Sequence, residues 1–181
     1  MRITGGILKG RQIKVPPGII RPAMDKMRES LFGILGDLSG LSFLDLFSGS
    51  GIISLEASSR GAEYIEAVEM DHLKRKILLE NVKISHKTIN CRFMPVELYV
   101  KRSKRAFDII FCDPPFDYKY KSELIMEICS SKLIKEETLI LLHRPKNDSY
   151  FKPLTCLKQE DYREYGGSSV DFLKYSNKLL I

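Results

Sequence analysis

The chain has 181 residues, with 29 Lys and Arg against 23 Asp and Glu, for a formal net charge of +6. That length suits one domain able to bury roughly 70% of its unfolded surface in a single core. No N-terminal stretch is apolar enough for a signal peptide and no run approaches the roughly 18 residues that span a bilayer, so a cytoplasmic protein without membrane contact is expected.

Residues 2–8 and 11–15 read as two short strands around Gly10, a small β-hairpin arm. Within the first 24 residues Arg2, Lys9, Arg11, Lys14 and Arg21 stand without an acidic residue. Such a run reads either as a phosphate-binding surface or as a solvated basic hairpin. Pro16-Pro17-Gly18 breaks the chain. A helix follows, because Met24, Met27, Leu31, Ile34 and Leu35 recur at three- and four-residue spacing and Pro22 suits a first turn. The division expected is an arm over 1–22 and one globular domain over 23–181.

Strands are expected near 43–47, 64–69, 90–94, 107–112 and 138–143, each separated by a helix-length segment. That alternation implies a parallel sheet covered on both faces. The end differs: 154–164 and 169–175 read as two strands around Gly166-Gly167, an antiparallel hairpin. The cluster Lys101-Arg102-Ser103-Lys104-Arg105 closes the helix before 107–112, so it should lie at the sheet end opposite the ligand side and complement its own helix dipole. Cys91, Cys112, Cys129 and Cys156 are widely spaced without a Cys-x-x-Cys pair. They read as reduced thiols, and no metal site is expected.

Two strand ends carry chemistry. Phe43-Leu44-Asp45-Leu46-Phe47-Ser48-Gly49-Ser50-Gly51 runs an apolar strand into a glycine turn and then a helix, which lets the backbone approach a ligand at a helix N-terminus. Twenty residues beyond Gly49, Glu69 ends the next strand, where a carboxylate can accept from both hydroxyls of a ribose. A dinucleotide pattern wants Gly or Ala at the position of Ser54, so a nicotinamide enzyme survives only as an alternative. The second strand end is Asp113-Pro114-Pro115-Phe116. It offers a carboxylate, a fixed carbonyl and an aromatic ring for a planar conjugated amine, and its prolines restrict the backbone beforehand. A stiff strand-to-helix turn is the plain alternative.

The chain resembles the bacterial S-adenosylmethionine-dependent methyltransferases that modify the exocyclic N2 of a guanine in small-subunit (16S) ribosomal RNA. The resemblance rests on Arg2-Ile3-Thr4-Gly5-Gly6 with Lys9-Gly10-Arg11, Arg21-Pro22, Arg28-Glu29-Ser30-Leu31-Phe32 and the 45–51 turn. It continues through Leu55-Glu56-Ala57, Ser59-Arg60-Gly61-Ala62, Val68-Glu69-Met70-Asp71 and Asp113-Pro114-Pro115-Phe116. It implies a class I, Rossmann-like α/β fold with a seven-stranded, mostly parallel sheet and a C-terminal antiparallel hairpin. Catalytic residues implied are Asp113, Pro114, Pro115 and Phe116; cofactor contacts are Asp45, Phe47, Ser48, Gly49, Ser50, Gly51, Glu69, Met70 and Val96. Where the family carries an acidic or amide residue after the third strand, Pro95-Val96 fill the turn, which leaves adenine to the Val96 N–H, with Glu97 a displaced candidate. Arg2, Lys9, Arg11, Lys14 and Arg21 are expected to meet small-subunit ribosomal RNA, naked or in an assembling 30S particle, and the protein is expected to be a monomer.

The resemblance leaves an adenine-N6 methyltransferase as the nearest alternative and a non-catalytic RNA-binding module as a distant one. His72 and His86 read as surface residues. His143 ends the fifth strand on the ligand side, where it serves structure or touches RNA, and Tyr118 and Tyr120 flank the Asp-Pro-Pro-Phe loop as packing or stacking groups.

Overall fold

The computed structural model describes residues 1–15, 22–148 and 155–176. In chain order the elements are α1 (Pro22–Leu35), β1 (Ser42–Leu46), α2 (Ile52–Ser59), β2 (Tyr64–Val68), α3 (His72–Val82) and β3 (Ile89–Arg92). They continue with α4 (Val96–Arg102), β4 (Ile109–Cys112), α5 (Lys121–Cys129), β5 (Leu139–Pro145), β6 (Leu157–Tyr165) and β7 (Ser168–Tyr175). All seven strands form one sheet in the order β3-β2-β1-β4-β5-β7-β6. The first five pair in parallel, and β7 pairs antiparallel with both β5 and β6.

Side chains along the central strands alternate between two buried layers, as a sheet covered on both faces requires. Phe43, Ile109, Phe111 and Leu141 pack with Met27, Leu31 and Phe32 of α1 and Ile52, Ile53 and Leu55 of α2. Leu44, Leu46, Ile110, Cys112, Ile140 and Leu142 pack on the other face with Val96, Tyr99 and Val100 of α4 and Leu124, Ile125 and Ile128 of α5. The edge strand β6 is mostly half-buried or exposed and carries Lys158, Glu160, Asp161, Arg163 and Glu164, with a register shift between Gln159 and Asp161. Charge and a bulge both discourage pairing with another chain.

The expected arm hairpin is corrected by the structure. Its two strands reduce to one antiparallel bridge, Arg2 to Gln12, with turns between. The arm divides its backbone hydrogen bonds: Ile3 N–H donates to the Arg11 carbonyl and Ile13 N–H to the Met1 carbonyl, both at 3.0 Å, while the residues between, with Ile3, Leu8 and Ile13 buried, dock on α2. Thr4 N–H donates to Glu56 Oε1 (2.8 Å), Leu8 N–H to Ser59 Oγ (2.8 Å) and Ile7 N–H to the Ser59 carbonyl (2.9 Å). Buried Arg28 donates to Glu56 Oε1 (2.8 Å) and to the Arg2 carbonyl (2.7 Å), locking α1, α2 and the arm together. The strand expected over 107–112 begins at Ile109: Phe107 N–H turns to the Leu133 carbonyl, and Asp108 reaches the first residues of β1 and β5, Ser42 and Leu139. The Pro16-Pro17-Gly18 break, Arg21 and Leu154 lie outside the described residues; Thr155 and Cys156 form a turn, so the strand expected over 154–164 starts at Leu157.

Candidate active site

β1 and β4 are neighbours, and the connections after them leave on opposite faces, so their carboxyl ends bound the crevice of the doubly wound sheet. β1 stops at Leu46 because Phe47 takes φ 64°, a left-handed conformation that costs a non-glycine residue roughly 1–3 kcal/mol. The turn continues through two left-handed glycines with different work. At Gly49 (φ 56°) an added Cβ would meet nothing closer than the Phe47 carbonyl oxygen at 3.9 Å, so the backbone faces open space. At Gly51 (φ 79°) it would meet Leu78 Cδ1 of α3 at 2.5 Å. Gly51, expected as a cofactor contact, does not line the crevice and is needed for helix packing.

Ser54 decides how this turn differs from a dinucleotide fingerprint. Its N–H and its hydroxyl both donate to Asp45 Oδ2, at 3.1 and 2.6 Å, tying the first turn of α2 to the end of β1. A third glycine could not supply the second bond. Burial pushes the Asp45 carboxyl up to about 7 despite these two donors, and the charges of Asp113 and Glu69 add to the rise. Glu69, just past β2, accepts from Gly49 N–H on Oε2 and from Asp71 N–H on Oε1, both at 2.8 Å. It therefore shapes the glycine turn and keeps a lone pair on each oxygen for a ligand. Lys74 stands 3.8 Å away.

Asp113 follows β4 directly and its N–H donates to the Leu46 carbonyl (3.3 Å). The loop beyond is clamped from below by Lys121, whose fully buried ammonium donates to the carbonyls of Phe116 (2.9 Å) and Tyr118 (2.6 Å) and pairs with Asp148 (3.3 Å). Tyr118 donates its hydroxyl to Glu97 Oε1 (2.6 Å) and packs edge-on against Phe47, ring centroids 5.8 Å apart, which joins the two strand-end loops. His143 Nδ1 lies 2.7 Å from Asp113 Oδ1, and its ring meets Phe116 edge-on at 5.6 Å.

These groups surround one crevice of about 970 Å³. Asp45, Phe47, Ser48, Gly49, Ser50, Glu69 and Met70 line it, as do Asp113, Pro114, Pro115 and Phe116, so the two sequence motifs share one space. Val96 does not line it. Consecutive helical residues point about 100° apart, so the first turn of α4 sends Val96 into the core (2% exposed) and Glu97 to the crevice wall. Met1 and Val15 form part of the rim, which sets the arm beside the opening; Arg2, Lys9, Arg11 and Lys14 are exposed on that arm, Lys14 paired with Glu80 at 2.9 Å. The cluster 101–105 lies at the C-terminal end of α4, where β4 starts, away from the crevice. His72 is exposed but lines the rim, and His86 is exposed outside it.

Sequence reasoning placed His143 on the ligand side but missed its pairing with Asp113, and missed Lys121 altogether. Lys121 had a faint signal, since a lysine at the first position of a helix opposes the dipole and invites another explanation. His143 had a better one. Cys112 pairs in register with Leu142, so the next residues of both strands, Asp113 and His143, are polar neighbours at the end of two buried strands.

An antiparallel β7 between β5 and β6, on a sheet whose crevice sits at the β1/β4 switch point, is the architecture of the class I S-adenosylmethionine-dependent methyltransferases, and not that of a parallel dinucleotide-binding sheet. Comparison with known proteins narrows the class. Residues 1–174 match the family described as Conserved hypothetical protein 95. The chain is 33% identical over 147 residues to Ribosomal RNA small subunit methyltransferase D of Escherichia coli K12, covering 77% of this chain and 72% of that one. It is 28% identical over 173 residues to the protein of the same name from Haemophilus influenzae, 88% of each chain. A solved Escherichia coli chain described as a methyltransferase, yhhF, superposes with a TM-score of 0.88 at 26% identity, over 97% of this chain and 98% of that one. The chain belongs to this family, that of the small-subunit ribosomal RNA methyltransferases D.

Proposed function

We propose that the protein transfers a methyl group from S-adenosylmethionine to the exocyclic N2 of a guanine in small-subunit ribosomal RNA. The observation that carries this reading is the Asp113 carboxylate in the same crevice as the open Gly49 turn and Glu69. Glu69 would hold the ribose hydroxyls, the Gly49 backbone and the buried Asp45 carboxyl the amino-acid end, and Met70 the adenine face. The lining suits a cationic ligand: Asp45, Glu69, Glu97 and Asp113 all face the space, and a pyrophosphate beside the glycine turn would stand against Asp45 and Glu69. S-adenosylmethionine, when bound, supplies an electrophilic methyl group on positive sulfur.

What the chain itself does is position the amine. The lone pair of a guanine amine is delocalised into its ring. Asp113 and the Pro114 carbonyl accept the two N–H bonds, which favours a more tetrahedral nitrogen with its lone pair directed at the methyl. Transfer would break the methyl's bond to sulfur, leaving a neutral thioether, as the N–C bond forms; the nitrogen then carries the positive charge and sheds one proton, to Asp113 or to water. Phe116 stacks on the base, a contact of about 1–3 kcal/mol, and the target must be unpaired or flipped to enter. The arm, residues 1–22, would track phosphates beside the rim with Arg2, Lys9, Arg11, Lys14 and Arg21, while 23–181 forms the catalytic domain. We place the activity in the cytoplasm, on naked or assembling subunits, with the protein as a monomer.

Nucleoside mass spectrometry of ribosomal RNA from cells lacking the protein tests the reading. Loss of one N2-methylguanine from the small-subunit RNA is expected; loss of an N6-methyladenine instead would transfer the assignment to that amine.

A further inference from the structure

We infer that His143 is the positioning residue of the reaction: as a neutral imidazole protonated on Nδ1, it donates to Asp113 Oδ1 and thereby holds the carboxylate anionic, with Oδ2 left for the substrate amine. The inference rests on the proposed role of Asp113.

Geometry selects the proton's location. Nδ1 and Oδ1 are 2.7 Å apart, so one proton lies between them. Nε2 is buried and has no hydrogen-bond partner among the described residues, and the whole side chain is 2% exposed. Three states fit the short contact. An imidazolium, or a neutral ring protonated on Nε2 facing a protonated Asp113, would bury an N–H donor without an acceptor, which costs about 1–3 kcal/mol and more with charge. A ring protonated on Nδ1 alone leaves only an idle lone pair. That state also fixes Asp113 as the anion, the form that can accept from an amine.

The surroundings hold the ring in this role. His143 lies one step past the paired residues Cys112 and Leu142, so strand register places it beside Asp113. Phe116, the ring proposed to stack on the base, meets the imidazole edge-on, so the same side chain that orients Asp113 also backs the stacking surface. Arg144 turns to the other face and binds Asp171 through Nε (2.6 Å), which keeps a permanent cation away from the pair. Asp113 remains 24% exposed and lines the crevice, so its second oxygen is reachable by a substrate.

Two measurements decide the matter. In ¹⁵N–¹H spectra of the imidazoles at neutral pH, three histidines are seen, and His143→Leu identifies the signal of interest. A neutral ring protonated on Nδ1 is expected. Protonation on Nε2, or on both nitrogens, overturns the inference whatever the substrate proves to be. In methyl transfer to small-subunit RNA, His143→Leu should lower kcat by roughly 10–100-fold, by analogy with residues that orient metal ligands through one hydrogen bond. KM for RNA and the Kd for S-adenosylmethionine should stay within about twofold, since phosphate contacts carry most of the affinity for RNA and Glu69 with the Gly49 turn would hold the cofactor. His143→Asn, whose amide nitrogen can stand where Nδ1 stood, should recover most of the loss. Equal loss in both variants, or full activity in His143→Leu while Asp113→Ala is inactive, would overturn the role of His143 and leave the function standing. An active Asp113→Ala would instead remove the reading beneath it.

Discussion

The two ends of the parallel sheet were built from the same strands but treat their polar groups in opposite ways. At the amino end, Ser42 donates its N–H and its hydroxyl to Asp108 Oδ2, at 2.9 and 2.7 Å, Lys135 pairs with Asp108, and Thr138 donates to the Phe107 carbonyl at 2.7 Å. Each of these groups has its partner within the protein. At the carboxyl end, Ser48 Oγ and His143 Nε2 are buried without a partner among the described residues, Phe47 is held left-handed, and Asp45 is pushed up to about 7. Asp45, Phe47, Ser48 and His143 all line the crevice, where a ligand could complete them; strain alone does not mark that end, since Glu137 at the amino end is also left-handed (φ 71°). The amino end pairs its polar groups with one another, and the carboxyl end turns several of its own toward the crevice.

The sharpest way to break that contrast is Asp113→Ala, which should lower turnover by about 10²–10⁴-fold while leaving RNA affinity nearly unchanged. Weaker binding with normal turnover, read by single-turnover kinetics, would give the carboxylate a recognition role instead. Glu69→Ala should weaken S-adenosylmethionine binding by about 1.5–3 kcal/mol in calorimetry, and nicotinamide dinucleotides should give no heat. Tight binding of a dinucleotide would reverse the reading of the glycine turn.

The two ends also make opposite claims about pH. Asp45 has its carboxyl raised by burial, so the folded state binds a proton that the unfolded state has lost, and stability should fall as pH rises from about 4 to about 7, at roughly 1.4 kcal/mol per pH unit. Asp108 is held low: burial opposes this, but the bonds from Lys135 and Ser42 win. Its contribution is present above the ordinary carboxylate range and lost as pH falls below it. Chemical denaturation across this range should show Asp45→Asn flattening the fall and Asp108→Asn flattening the acid-side rise. Asp108→Asn should leave turnover unchanged. The smallest effect concerns RNA: Lys9, Arg11 and Lys14 to Ala should reduce the slope of log affinity on log salt by about 0.7–0.9 per phosphate contact removed, and neutralising Lys101, Arg102, Lys104 and Arg105 should barely alter it.

Much of the fold was legible because hydrophobic alternation and glycine turns report local geometry. The five parallel strands, the closing hairpin and the meeting of the 45–51 and 113–116 motifs all follow from such signals together with the family resemblance. The arm's two segments do pair antiparallel around Gly10, but over a single bridge rather than over two strands. The arm's other partner, α2, is some fifty residues away, and no local pattern announces that docking. Gly51 and Gly49 look equivalent in sequence, and only the position of Leu78 separates packing from approach to a ligand. Val96 and Glu97 were ambiguous until the phase of α4 was fixed. The pairing of His143 with Asp113 escaped because the two residues lie on separate strands, and the Lys121 clamp because no local pattern announces that its ammonium turns back into the loop.

Reconstitution tests the central claim most directly. The purified protein is incubated with S-adenosylmethionine carrying a deuterated methyl group and with small-subunit particles or RNA from cells lacking the protein, and the RNA is then digested to nucleosides. Deuterated N2-methylguanosine in the mass spectrum, absent with Asp113→Ala, is the expected result. Label in N6-methyladenosine, or none in any nucleoside while the cofactor binds, would contradict the account.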